Sequence, residues 1–142
     1  MRSKYNVTSD KSKRTYDDIV FDSEMEMKYY RDVIIPAFEK GIIRRYELQK
    51  EYEIQPKYKH LGKTIHAIKY VADFYVEYRD GTVQVIDVKG MPDSVALLKR
   101  KLMWYQYPDL DYIWVTYVKK FGGWIEYDEC QALRRKEKKE KK

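Results

Sequence analysis

The chain has 142 residues, 44% of them hydrophobic and 37% charged, which suits one domain with a core of ordinary size. No apolar run approaches the ~18 residues that a membrane span needs, and the N-terminal MRSKYNVTSDKSKR has no apolar stretch of the secretory-signal kind. The single cysteine, Cys130, excludes an intramolecular disulfide and a Cys-based zinc cluster, so the chain reads as soluble and intracellular, with no membrane partner.

The net charge of +6 is unevenly divided. The tail RRKEKKEKK, from Arg134 to Lys142, carries seven basic and two acidic residues, and residues 1–14 carry five basic and one acidic. The stretch between is left with a net charge of −3. Basic ends around an acidic middle suit arms that grip a polyanion while carboxylates gather in the core. A solubilising extension of the last helix is the plainer account of the tail. This division predicts a basic arm over residues 1–15, a folded domain over 16–133 and a basic tail over 134–142.

In chain order, the polar start predicts an arm that becomes ordered only near Tyr16–Val20. Ser23 with Glu26 three residues later fits a capping box, and it opens a helix over Glu24–Lys40. The apolar face of that helix is Met25, Tyr29, Val33 and Phe38, with Pro36 expected to break or kink it and Gly41 to stop it. Tyr46–Tyr58 and Ile65–Tyr78 are rich in β-branched and aromatic residues and read as strands. The turn Arg79-Asp80-Gly81 leads to a third strand, Thr82–Lys89. Asp93 or Ser94 caps a helix reaching about Tyr105, with Val95, Leu98, Leu102 and Tyr105 as its apolar positions. A strand over Asp111–Lys119, a Gly122-Gly123 turn, a short edge strand over Trp124–Tyr127 and a last helix from Asp128, fraying into the tail, complete the chain. The order α-β-β-β-α-β predicts a single α/β domain with a mixed sheet.

Chemistry concentrates in Val71-Ala72-Asp73-Phe74-Tyr75 and Ile86-Asp87-Val88-Lys89-Gly90. Strand interiors disfavour aspartate, by propensity and by the desolvation of a carboxylate, so two on neighbouring strands suggest a bound cation. Register decides whether they meet. A two-residue Asp80-Gly81 turn pairs residues 74 and 87 and separates the acids. A three-residue loop with Gly81 left-handed pairs 73 with 87. The second register puts Asp73, Asp87 and Lys89 on one face and the mainly apolar Ala72, Phe74, Val76, Ile86 and Val88 on the other, so it explains more of the pattern.

Carboxylates about 5 Å apart repel unless a proton or cation lies between them. Oxygen ligands favour Mg²⁺ or Mn²⁺ over zinc, and such an ion activates water and polarises a phosphodiester. Lys89 then orients the water or stabilises developing charge. The bland alternative is an Asp–Lys ion pair with no metal. Gln55 is a candidate for a hydrogen bond to phosphate or to metal-bound water, or an ordinary strand residue beside Pro56. Lys99 and Lys101 are candidates for phosphate contact, as are Arg134 and Arg135 in the tail; a solvated helix face is the alternative. His60 and His66 are the only histidines, and no glycine-rich phosphate loop occurs, which argues against a His-based mechanism and ATP use.

The hairpin-borne D…D-x-K, with a Glu-bearing helix before it and a helix and strand after it, resembles the PD-(D/E)xK nuclease superfamily. The ordered blocks FDSEME, EIQPKY, YVADF, IDVKG and LKRKL, over roughly residues 16–118, resemble one branch widespread in phages and prophages. That branch is catalogued mainly as a domain of unknown function and regarded as endonuclease-like. The resemblance implies a restriction-endonuclease-like fold and a Mg²⁺- or Mn²⁺-dependent DNA endonuclease. Asp73, Asp87 and Lys89 take the signature positions, and Glu26 the helix-borne acid position as a third metal ligand. Glu26 as a purely structural cap stays the alternative, with Glu24 as the other acid on that turn. Ala72-Asp73 stands where the superfamily label has Pro-Asp. The resemblance further implies DNA as partner, branched or junction DNA as substrate, a homodimer, and a phage- or prophage-encoded protein of the bacterial cytoplasm. A nucleic-acid-binding module that keeps the fold but cuts nothing is the rival reading.

Overall fold

The computed structural model describes residues 10–141; residues 1–9, most of the expected arm, and Lys142 lie outside the described residues. The described remainder of the arm is folded, so order reaches further back than the expected Tyr16. Asp10 caps a 3-10 turn at Lys11–Arg14 by accepting from the Ser12 N–H at 3.0 Å. Strands β1 (Thr15–Tyr16) and β2 (Ile19–Val20) then pair as a small antiparallel hairpin.

The first long helix consists of α1 (Glu24–Tyr29), a π-helical turn (Tyr30–Ile34) and α2 (Ile35–Glu39). Ser23 caps it as expected, its Oγ accepting from the Glu26 N–H at 3.1 Å. Pro36 does not end the helix. Proline lacks an N–H and crowds the preceding turn, and the wider π turn just before it supplies the slack. The extra residue in that turn also rotates the helix. Met27, Tyr29, Tyr30 and Ile34 are buried, whereas Phe38, expected on the apolar face, is 43% exposed.

Strands β3 (Ile43–Gln55) and β6 (Ile68–Tyr78) form a long antiparallel ribbon. Between them β4 (Tyr58–His60) and β5 (Lys63–Ile65) make a separate hairpin. The expected strands Tyr46–Tyr58 and Ile65–Tyr78 are therefore each interrupted. Pro56 cannot donate to a ladder, and the chain leaves the main sheet there. Next come β7 (Val83–Val88), α3 (Ser94–Gln106), β8 (Tyr112–Val118), β9 (Gly123–Glu126) and α4 (Tyr127–Glu140). Helix α4 runs through most of the basic tail, which does not fray where the sequence suggested.

The main sheet has the order β3-β6-β7-β8-β9, with β7 and β8 parallel and every other pair antiparallel. The chain is thus an α/β domain with a mixed five-stranded sheet, and the order α-β-β-β-α-β is its core. Among the described residues, no helix is long and apolar enough to cross a membrane.

Two buried clusters flank the sheet. Phe21, Tyr29, Tyr30 and Ile34 on the α1 side pack with Phe74, Val76, Ile86 and Val88. On the α3 side, Met103 packs with Ile54, Tyr70, Ala72, Val85, Tyr112 and Trp114. Ala72 was expected with Phe74 and Val76 but belongs to the opposite cluster. The strand pair keeps its register across this point and exchanges its faces. The exchange falls at Asp73 and at Gln49, the β3 residue facing it, which holds a left-handed φ of 54°. Helix α3 is also turned from its expected setting. Val95, Leu98 and Tyr105 are 49%, 59% and 81% exposed, and Met103 is the buried residue. Arg100 sets that rotation: its guanidinium lies 4.2 Å from the Trp114 ring centroid and bonds both Asp128 oxygens at 3.1 Å.

Candidate functional site

The β6–β7 hairpin has the register that brings the two acids together. Tyr78 N–H donates to Thr82 O at 2.8 Å and Gly81 has φ 90°, closing the three-residue loop Arg79-Asp80-Gly81. Asp80 Oδ1 fixes the loop by accepting from Thr82 N–H at 2.9 Å. The pairs from Glu77–Val83 to Phe74–Ile86 extend by one step to Asp73 opposite Asp87.

At that step side chains take over the ladder. Asp73 N–H donates to Asp87 Oδ1 at 2.8 Å, and Val88 N–H donates to Asp73 Oδ2 at 2.9 Å. The carboxylates therefore lie in the seam between β6 and β7, each held by the partner strand's backbone. Asp73 is fully buried and Asp87 is 1% exposed. Lys89 Nζ reaches Asp87 Oδ2 at 2.9 Å, while the Lys89 N–H donates to Val115 O at 2.9 Å and anchors the residue on β8.

A chain of donors ends on the same carboxylate. Trp114 Nε1–H donates to Tyr112 Oη at 2.6 Å, Tyr112 donates to Tyr70 Oη at 2.6 Å, and Tyr70 donates to Asp87 Oδ2. Its direction is fixed by valence, because an indole N–H only donates and a carboxylate only accepts. Burial, then the neighbouring Asp87 charge, pushes the Tyr70 hydroxyl far up, so it stays a donor at any working pH. Sequence reasoning missed this chain, because a tyrosine in a segment rich in β-branched and aromatic residues reads only as a strand former. Tyr70→Phe removes the bond to a buried charge and leaves Tyr112 without its acceptor. We expect a loss of about 2 kcal/mol in urea unfolding. An unchanged midpoint would mean that the chain does not hold Asp87.

Glu26 is fully buried on the α1 side, where Gln49 Nε2 donates to its Oε1 at 2.7 Å. A cleft of about 120 Å³ opens there, lined by Phe21, Asp22, Glu26, Leu48 and Gln49 among others. Glu24, the alternative acid, forms a surface pair with Lys28 at 3.2 Å. Gln49 rather than Gln55 is the glutamine beside the acids. Gln55 lies about 16 Å along the ribbon, five residues from the Asp73 row, and its Nε2 donates to His66 O at 3.2 Å. Lys99 is partly buried and within 3.5 Å of Lys69 O, whereas Lys101, Arg134 and Arg135 are exposed. Among the described residues, no group of three or more His, Cys, Asp or Glu side chains is arranged to hold a metal ion.

Fold and site together define an α/β domain whose mixed sheet buries a facing pair of aspartates beside a lysine. The chain belongs to the family described as "Protein of unknown function (DUF1064)", whose model matches residues 2–123. This agrees with the domain of unknown function that the sequence blocks resemble. No curated protein matches the chain. No solved structure matches it either.

Proposed function

We infer that this protein is a Mg²⁺- or Mn²⁺-dependent DNA endonuclease with a restriction-endonuclease-like fold. One observation carries the reading. Glu26, Asp73 and Asp87 are all buried, at 0%, 0% and 1% exposure, and Lys89 is paired with Asp87. Burying three carboxylates in one small domain is costly, and a bound divalent cation is one way to offset that cost. An all-carboxylate donor set fits Mg²⁺ or Mn²⁺, so Asp73 and Asp87 are the residues that would hold the ion, with Glu26 on the α1 side as a third acid.

A divalent ion there supplies Lewis-acid polarisation of a phosphodiester and activation of water. The chain's own part is positional. The backbone N–H groups of Asp73 and Val88 fix the two carboxylates, and Tyr70 orients Asp87. Lys89 places a positive charge beside the reacting phosphate, where charge develops. The exposed Lys101, Arg134 and Arg135, with Lys99, contribute phosphate contacts that give affinity without sequence preference. Branched or junction DNA as substrate, a homodimeric form and a phage or prophage origin in the bacterial cytoplasm belong to the same reading through the resemblance.

The rival is a DNA-binding module that does not cut. The closed Lys89–Asp87 pair, together with the lack of a three-ligand cluster among the described residues, favours it. Incubation with supercoiled, linear, single-stranded and four-way-junction DNA, in Mn²⁺ or in chelator, separates the two. We expect cutting in Mn²⁺ alone. Binding to these DNAs with no cutting in any metal would leave the rival standing.

A further inference from the structure

We propose that the β4–β5 hairpin is a DNA-binding arm that enters the major groove of a B-form duplex. The proposal rests on the nucleic-acid reading above, but not on cleavage. Residues 54–72 contain four lysines and both histidines of the chain and no acidic residue, although the chain as a whole is rich in acids. Tyr58, Lys59 and His60 are all exposed, and the hairpin pairs with itself rather than with the main sheet. A two-stranded ribbon of this kind fits a major groove about 12 Å wide.

The tip is the telling feature. Leu61 and Gly62 both have positive φ, at 49° and 76°, which is the two-residue turn that favours Asn-Gly. Leucine is a poor choice there on two counts. Its branched side chain resists the left-handed conformation, and at 89% exposure it is the most exposed large hydrophobic residue in the described chain. A strained residue that also exposes apolar surface points to a contact made outside the chain. Register places Tyr58, His60 and Lys63 on one face of the hairpin and Lys59, bonded to Thr64 Oγ1 at 2.6 Å, on the other. Lysines thus flank the ribbon where phosphates line a groove, and Leu61 leads towards the base edges.

The test is fluorescence anisotropy with a labelled DNA duplex and an RNA duplex of the same sequence, in chelator so that nothing is cut. Leu61→Asn suits the turn better, so its melting temperature should hold or rise. Its affinity for DNA should fall about tenfold, as expected when a leucine is no longer buried on binding. Lys57→Ala with Lys63→Ala should lower the slope of log affinity against log salt by about 2. The RNA duplex, whose major groove is too narrow for a ribbon, should bind more weakly and respond little to either change. DNA affinity and salt slope at parental values in both variants would overturn the arm, and so would equal losses on DNA and RNA. If the parent cuts DNA while both variants bind normally, the arm fails and the nuclease reading stands. If both variants lose binding but the parent never cuts, the arm stands and the nuclease reading fails.

Discussion

Asp73→Asn and Asp87→Asn are each expected to cut DNA more than about a hundredfold more slowly than the parent, since even changes to the partners of metal ligands reach that size. The two variants differ in what they do to the fold. In Asp73→Asn the amide oxygen can go on accepting from Val88 N–H, now made at 2.9 Å. In Asp87→Asn the amide NH₂ is set either against the Lys89 ammonium and the Tyr70 hydroxyl, which both bond Oδ2, or against the Asp73 N–H, which bonds Oδ1. Asp73→Asn is therefore the cleaner probe, and Asp87→Asn should lose stability as well as activity. DNA affinity in chelator should hold or rise in both, because each change removes negative charge near phosphate. The checks are circular dichroism for folding, anisotropy for binding and strand cleavage in Mn²⁺. A folded Asp73→Asn protein that cuts at the parental rate would move the active site away from this seam.

The register of the hairpin was legible in the sequence because two independent demands agreed. Gly81 supplied the left-handed residue that a three-residue loop needs, and only that loop placed Phe74, Val76, Ile86 and Val88 together on an apolar face. The cap at Ser23 was legible for a similar reason, as was one at Asp93 or Ser94, a place that Asp93 takes by accepting from Ala96 N–H at 2.8 Å: a short polar side chain ahead of a periodic segment has one favourable use. Glu26 could be named as a candidate, but its burial against Gln49 could not. Gln49 adopts a positive φ, which glutamine rarely does, and no residue type nearby announces it.

Other parts failed for identifiable reasons. Ala72 was misplaced because strict alternation assumes a strand whose faces never exchange, and the exchange occurs at Asp73 itself. Helix α3 offered a regular stripe at Val95, Leu98, Leu102 and Tyr105. Tertiary contacts overrode that stripe, with Arg100 stacked on Trp114 and bonded to Asp128. The β4–β5 hairpin was missed because the first strand was carried through Pro56 to Tyr58, and residues 59–64 fell between the two expected strands. Its Leu61-Gly62 turn gives little signal, since leucine is not a turn former.

Lys89→Met is expected to destabilise the metal-free protein by about 3 kcal/mol, the loss typical when one partner of a buried ion pair is removed. Methionine keeps an apolar stem beside the Trp114 ring, above which Nζ now lies at 5.2 Å, so the change isolates the charge. Without the ammonium, Asp87 keeps the Tyr70 hydroxyl and the Asp73 N–H as donors but loses its own paired cation. The sign of the metal effect follows. In the parent, a divalent ion must compete with Lys89 for Asp87 Oδ2; in the variant it meets no such competitor. An ion that binds only the folded state stabilises by about 2.7 kcal/mol at a hundredfold excess over its Kd. Mn²⁺ titrated into thermal melts should therefore raise the melting temperature of Lys89→Met more than that of the parent, and narrow the gap between them. The variant should still cut poorly, since methionine cannot supply the positive charge that Lys89 places beside the phosphate. Equal shifts in the two proteins, or none in either up to millimolar Mn²⁺, would mean that the seam does not take up a cation and that Asp87 and Lys89 form a structural pair.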